Sequence, residues 1–221
     1  MDKDYKPKSL ILILAIVLAP FFSGCTGAFK GYVKDASTTP LTDTRVTFKS
    51  TSLQQITCSQ TNGYYNYDIP AGSYTISYRK KGFKVFKLEN QIARDLFPTP
   101  VDDVSLQSTT AGKEISGQVY ISSSSPRQGR EGVTVNLYQI SCGAPGPTPI
   151  DSAVTCSDGY YTFSVLPDGS ELPDNTTYKV EPVCAGVCTF SPQYRDGIAV
   201  PVNPSSQTFD FAAACGSGAC P

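Results

Sequence analysis

Histidine is absent from all 221 residues, so the functions that need imidazole are excluded: Ser-His-Asp triads, Cys-His dyads, His-ligated zinc and c-type haem. Tryptophan is also absent, and the single methionine is Met1. Charge is scarce and nearly balanced, 17% of residues for a formal net of −1, which is not the basic excess that nucleic-acid binding needs. No apolar run is long enough to cross a bilayer comfortably. The longest, Leu10 to Phe22, has 13 residues against the ~20 of a spanning helix. A redox Cys-x-x-Cys pair is missing too. What the chain has instead is 18 Gly, 17 Pro and 11% aromatics, a composition suited to short strands joined by many turns.

The stretch Asn62 to Ile76, NGYYNYDIPAGSYTI, reads as two strands joined by a turn. Gly63 opens the first strand, in which Tyr65, Tyr67 and Ile69 alternate with Tyr64, Asn66 and Asp68. This is the period of two of a sheet with one buried face and one wet face. Pro70-Ala71-Gly72 predicts a hairpin turn, after which Tyr74, Ile76 and Tyr78 alternate with Thr75, Ser77 and Arg79. The pattern returns at Asp158-Gly159-Tyr160-Tyr161, with Phe163 and Val165, a turn at Pro167-Asp168-Gly169, and Tyr178 and Val180. The chain is therefore a tandem of two related β modules.

Residues 1–24 read as a targeting segment. Lys3, Lys6 and Lys8 precede the apolar run, which ends in Phe22-Ser23-Gly24-Cys25. This junction resembles the lipobox of bacterial lipoproteins, although Phe22 stands where Leu is usual. The resemblance implies that Cys25 receives a diacylglycerol, that cleavage makes it the new N-terminus, and that a further acyl chain such as palmitate is added. Acyl chains contribute about 0.8 kcal/mol per buried methylene, enough to hold the protein on a membrane without a spanning helix. Thr26 and Gly27 follow Cys25. With no Asp there, the resemblance favours the outer membrane if the host is diderm. Losing the three Lys and two Asp of residues 1–24 leaves a formal charge of −2.

Phe29, Gly31 and Val33 predict the first strand, Val46 and Phe48 the second, and Ile56 with Cys58 the third. Phe83, Val85 and Phe86 mark another, Pro98 and Pro100 interrupt the run, and Val104 with Leu106 close the module. After the polar joint Ser108 to Gly112, the spacing recurs in Ile115, Gly117 and Val119, in Val133, Val135 and Leu137, and in Val154 and Cys156. The last strand is expected at Phe209 to Phe211. Seven or so strands per module suit a two-sheet sandwich. The early Gly-x-Val strand, the [Asp/Asn]-Gly-x-Tyr motif, the Pro-x-Gly turn and the Tyr-x-[Ile/Val] strand resemble the carboxypeptidase regulatory-like domain. That family is a transthyretin-like Greek-key β-sandwich, kin to collagen-adhesin B-type repeats. The resemblance implies an accessory role, as spacer, stalk unit or sugar- and protein-binding appendage. Domains are expected at 26–108 and 113–214, the second with insertions at 122–130 and 170–176, and a tail at 215–221.

Setting Cys25 aside, six cysteines fall in the second module: Cys142, Cys156, Cys184, Cys188, Cys215 and Cys220. Cys58 is alone in the first. Export to an oxidising compartment predicts three disulfides within the second module. A Cys142–Cys156 bridge across neighbouring strands would contribute about 3 kcal/mol. The remaining four leave local and crossed pairings open, and Cys58 is expected to be buried and inert or to pair between molecules. The alternative, a thiolate metal site on Cys184, Cys188, Cys215 and Cys220, lacks the two-residue knuckle spacing and is at odds with export. An internal Lys-Asn cross-link is disfavoured because Lys30 and Lys34 alternate away from Phe29 and Val33. Asn175-Thr176-Thr177 matches a glycosylation acceptor, but a bacterial lipobox does not imply that machinery.

The expected function is that of a non-catalytic envelope module without cofactors. Its partners are the membrane through Cys25 and an envelope protein or polysaccharide. In the alternative reading, outward Tyr64 and Tyr160, with Tyr32, stack on sugars; ordinary wet-face tyrosines would look the same.

Overall fold

The computed structural model describes residues 26–95, 98–110, 112–141, 143–166, 169–184, 188–202 and 209–215. No helix occurs among the described residues, and the chain is all-β. Eight strands form the first sandwich: β1 (Thr26–Asp35), β2 (Arg45–Lys49), β3 (Gln54–Cys58), β4 (Tyr64–Pro70), β5 (Gly72–Arg79), β6 (Phe86–Ala93), β7 (Pro98–Pro100) and β8 (Val104–Leu106). One sheet runs β4-β1-β7, with β8 also paired to β1, and the other runs β3-β2-β5-β6. Nine strands form the second: β9 (Ile115–Ile121), β10 (Thr134–Ser141), β11 (Ala144–Pro145), β12 (Asp151–Val154), β13 (Tyr160–Phe163), β14 (Thr177–Val183), β15 (Cys188–Ser191), β16 (Arg195–Ala199) and β17 (Phe211–Cys215). Their sheets are β11-β10-β14-β16, with β12 on β10, and β13-β9-β17-β15.

The alternating residues bury as the period of two predicts. Phe29, Val33, Val46, Phe48, Tyr65, Ile69, Tyr74, Ile76 and Tyr78 form one core. Ile115, Val119, Val135, Leu137, Tyr161, Phe163, Tyr178, Val180 and Phe211 form another. The inward tyrosines need partners for their hydroxyls once water is gone. Tyr65 and Tyr78 share a hydrogen bond of 2.7 Å across the first core, and Tyr161 donates to the carbonyl of Phe209 at 2.5 Å. Burial pushes the Tyr65 phenol up to about 12 and raises those of Tyr78 and Tyr161 well above the usual value.

The glycines of the repeated motifs have distinct reasons. Gly31 pairs opposite Tyr65, and Gly117 opposite Tyr161. A Cβ on Gly117 would lie 2.7 Å from the Tyr161 hydroxyl and 2.4 Å from the Phe209 carbonyl oxygen, so the ring crosses the strand only because the side chain is missing. Gly63 and Gly159 have φ of +77° and +72° in turns where Asn62 and Asp158 accept from the amides of Tyr64 and Tyr160 at 3.0 Å. Their carbonyls then accept from Val33 and Val119, tying the turn to β1 and β9 at 2.9 Å. A Cβ on Gly159 would sit 2.2 Å from the Val119 carbonyl oxygen, whereas nothing lies within 4 Å of one on Gly82, whose φ is +83°. Gly82→Ala is thus expected to cost about 1 kcal/mol for its φ alone. Gly159→Ala should exceed about 2 kcal/mol, because the strand must also move. Urea unfolding of the two variants measures the difference.

Three expectations are corrected. Pro70-Ala71-Gly72 is not a hairpin: β4 pairs with β1, while β5 pairs with β2 and β6, so the chain crosses from one sheet to the other at Ala71. The inward side chains of β4 and β5 face each other across the core, an arrangement that the same alternation permits. The prolines at 98 and 100 do not end the sheet but form β7, a parallel edge partner of β1. Proline is tolerated on an edge because no ladder donor is required there. The last strand is Phe211–Cys215 rather than 209–211. It pairs parallel with β9 and antiparallel with β15, a strand that the sequence reading did not anticipate.

Candidate functional site

The two sandwiches meet along a seam formed by the ends of β2, β3 and β5 on one side and of β12 and β13 on the other. Cys58 and Cys156 are joined across it, with a Cα–Cα distance of 6.0 Å. This corrects the expectations for both residues. Cys156 pairs with Cys58 rather than Cys142, and Cys58 is neither inert nor a handle between molecules. The cause is geometric: Cys58 ends β3 and Cys156 lies just past the end of β12, and those two ends abut. Cys188 pairs with Cys215 at register-matched positions of β15 and β17, so their sulfurs are not available as metal thiolates. Cys184 is disulfide-bonded as well. Cys25, Cys142 and Cys220 lie outside the described residues.

Around the Cys58–Cys156 bond the seam is polar. Arg79 Nη2 reaches both carboxylate oxygens of Asp151, at 3.0 and 2.8 Å, and both side chains are nearly covered. Arg45 donates from Nη1 to the Val154 carbonyl at 2.6 Å. Lys80 pairs with Asp158 at 3.1 Å, and Ser157 donates to Asp43 at 2.7 Å. The 108–113 joint is tied down too: Gly82 donates its amide to Glu114 at 2.9 Å and the Thr109 hydroxyl donates to the same carboxylate. Lys84 pairs with Glu171 at 2.8 Å; Lys84, then Thr110, hold the Glu171 carboxyl below its usual range.

From this seam a groove of about 590 Å³ runs along the outer face of the β3-β2-β5-β6 sheet. Arg45 and Arg79, directly opposite each other on β2 and β5, lie in its floor at the seam end. Arg79 alternates outward from the first core, as its sequence position predicts, yet it is only 8% exposed because the second sandwich covers it. Arg45 is 4% exposed. Burial, and then repulsion from Arg79, lowers the Arg45 guanidinium to about 9, with Asp151 opposing the shift. Arg45 Nε and Arg79 Nη1 are buried without a hydrogen-bond partner. Two covered guanidiniums thus stand opposite each other, with Asp151 paired to Arg79. Nothing in the local sequence marks these arginines, since their setting is created by docking of the second module.

The expected tyrosine surface divides. Tyr64 lies beside Tyr32 on neighbouring strands of the β4-β1 face, ring centroids 5.2 Å apart and planes tilted by 53°. Tyr160 lies instead at the seam, with Lys81 Nζ 4.5 Å from its ring centroid.

No family model matches the chain, and no curated protein matches it. Among solved structures, the Bacillus anthracis TIE protein is 12% identical over 72% of this chain and 28% of its own, with a TM-score of 0.33. A streptococcal ancillary pilin is 9% identical over 89% of this chain and 64% of its own, with a TM-score of 0.34. The chain thus spans less than two thirds of either of these. The minor pilin GBS52 of Streptococcus agalactiae is 10% identical over 87% of this chain and 98% of its own, with a TM-score of 0.30.

Proposed function

We propose that this protein is an exported, lipid-anchored, non-catalytic interaction unit of the bacterial envelope, built from two carboxypeptidase regulatory-like modules at 26–108 and 113–214. The observation that carries the reading is the covalent seam. A disulfide between modules suits an oxidising compartment outside the cytoplasm. Together with the Arg79–Asp151 and Lys80–Asp158 pairs, it holds two sandwiches as one unit, which serves a spacer or a composite binding face rather than two independent appendages. The absence of histidine leaves no general base of the commonest kind. β1 begins at Thr26, directly after the proposed acylation site, so the first module would ride close to the lipid surface.

The reading is tested by Cys25→Ala in the native host or a close surrogate. The wild-type protein should incorporate labelled palmitate and sediment with membranes. The variant should take up no palmitate and should accumulate as unprocessed precursor that still carries residues 1–24. A wild-type protein that takes up no palmitate would end the lipoprotein assignment, and acylation of the variant would end the assignment of Cys25. Carbohydrate stacking remains the second reading, supported by the Tyr32–Tyr64 pair rather than by Tyr160.

A further inference from the structure

We infer that the groove on the β3-β2-β5-β6 face binds an acidic polysaccharide, whose carboxylates are drawn to the Arg45–Arg79 end. This rests on the interaction-unit reading and gives that unit a ligand class. The charge distribution is the first reason. The groove is lined by four cations, Arg45, Lys49, Arg79 and Lys87, against two carboxylates, Glu89 and Asp151, in a protein whose overall charge is −1. The second reason is the floor. Two guanidiniums, both more than nine-tenths buried, stand opposite each other with Asp151 paired to Arg79, and one nitrogen of each has no hydrogen-bond partner. A positive excess set in low-dielectric surroundings is poorly screened, and a groove above it focuses the field on an incoming anion.

The walls distinguish a glycan from an acidic peptide. β2 and β5 are interior strands, each paired on both sides, so their backbone groups are spent and no peptide can add there as an extra strand. What the face offers is side-chain hydroxyls and amides, with Thr47 and Ser77 opposite each other at its centre and Gln54 on the β3 side. Ile56 supplies an apolar patch. Hydroxyl-rich walls with one apolar spot and a basic end suit a chain of sugar acids: ring hydroxyls exchange hydrogen bonds, a C–H face lies on Ile56, and carboxylates meet the cations.

The test uses the full chain purified in detergent micelles, with titration calorimetry against oligogalacturonate, its fully methyl-esterified form, and poly-glutamate of matched charge. Oligogalacturonate should bind at least about tenfold more tightly than either comparator, and Lys49→Glu should weaken it by about tenfold or more while leaving the circular dichroism and thermal midpoint unchanged. Lys49 is used because the arginines belong to the seam and their loss would unfold it. Equal binding of the methyl ester, equal binding of poly-glutamate, no binding at all, or indifference to Lys49→Glu would each overturn the inference. Because the measurement is made on solubilised protein, failure of the Cys25 test leaves it readable, and its own failure leaves the anchored envelope unit standing.

Discussion

Replacing Cys58 and Cys156 together with serine is expected to cost about 4–5 kcal/mol. The bond closes a loop with a sequence separation of 98, and the chain-entropy estimate for a loop of about 100 residues is ~4.7 kcal/mol. For a chain of this size that is a fall of roughly 10–20 °C in thermal midpoint. The form of the transition matters as much as its position. In the wild type the seam makes each sandwich's unfolding expose the other's covered arginines and serines, so one cooperative transition should appear. Without the bond, the seam depends on ion pairs and hydrogen bonds alone, and calorimetry of the double variant should resolve two transitions. The single variant Cys58→Ser would leave Cys156 as a free thiol and invite exchange with the second module's other cysteines, so the double variant is the cleaner probe. A midpoint within about 2 °C of wild type would mean that the crosslink spans two units that are already ordered independently.

The limits of the sequence are clearest in this bond. Ile56-x-Cys58 and Val154-x-Cys156 mark corresponding strands, and the period of two fixes which side chains each strand buries in its own module. It does not say how one module packs on the next. Parity therefore favoured six cysteines pairing within the second module, while the structure takes Cys156 out of that set for Cys58. The same gap explains Arg79. Alternation places it outward, which holds for the first sandwich, but a second surface closes over it. The [Asp/Asn]-Gly turns and the inward tyrosines were legible because each is a local relation within one turn or strand, whereas the Gly31 and Gly117 crossings depend on which strands pair. Ala71 was misread for a related reason, because a strand-turn-strand pattern is the same whether the chain turns back within one sheet or crosses to the other. The tyrosine pair was half legible. Period fixed Tyr64 and Tyr32 as outward, but that they are neighbours came from strand pairing, and Tyr160 was taken up by the seam. The basic groove left no trace in the overall charge, since it is assembled from β2, β5 and β6 together with Asp151 of the other module.

Asp151→Asn is expected to destabilise the protein by about 3–5 kcal/mol, nearly as much as losing the disulfide, although it changes few atoms. Among the described residues Asp151 is the carboxylate that pairs with Arg79, and the Arg45 guanidinium feels it as well. Neutralising it leaves two covered cations opposite each other with no counter-charge, and an uncompensated buried charge is far more costly than the net worth of the pair. A double-mutant cycle separates the two quantities. Asp151→Leu with Arg79→Met removes both charges and replaces them with apolar volume, so it should lose much less than the sum of the single variants. The Asp151→Asn penalty should also depend on pH in a defined direction. The Arg45 guanidinium is lowered to about 9 in the folded protein from its usual 12.5, and removing Asp151, which raises it, lowers it further. Between those values the unfolded chain holds a proton that the folded chain does not, so stability rises with pH as Arg45 discharges. The buried phenols act in the opposite sense: the Tyr65 hydroxyl is raised to about 12, so unfolding releases its proton once pH exceeds about 10, and stability falls there. Wild-type Arg45 itself discharges above about 9, so recovery relative to wild type lies below that value. Both urea midpoints should fall above about pH 10, whereas between about 7 and 9 that of Asp151→Asn should improve relative to wild type. A penalty that stays constant over that range would show that Arg45 keeps its proton and that the cost is lost hydrogen bonding rather than stranded charge.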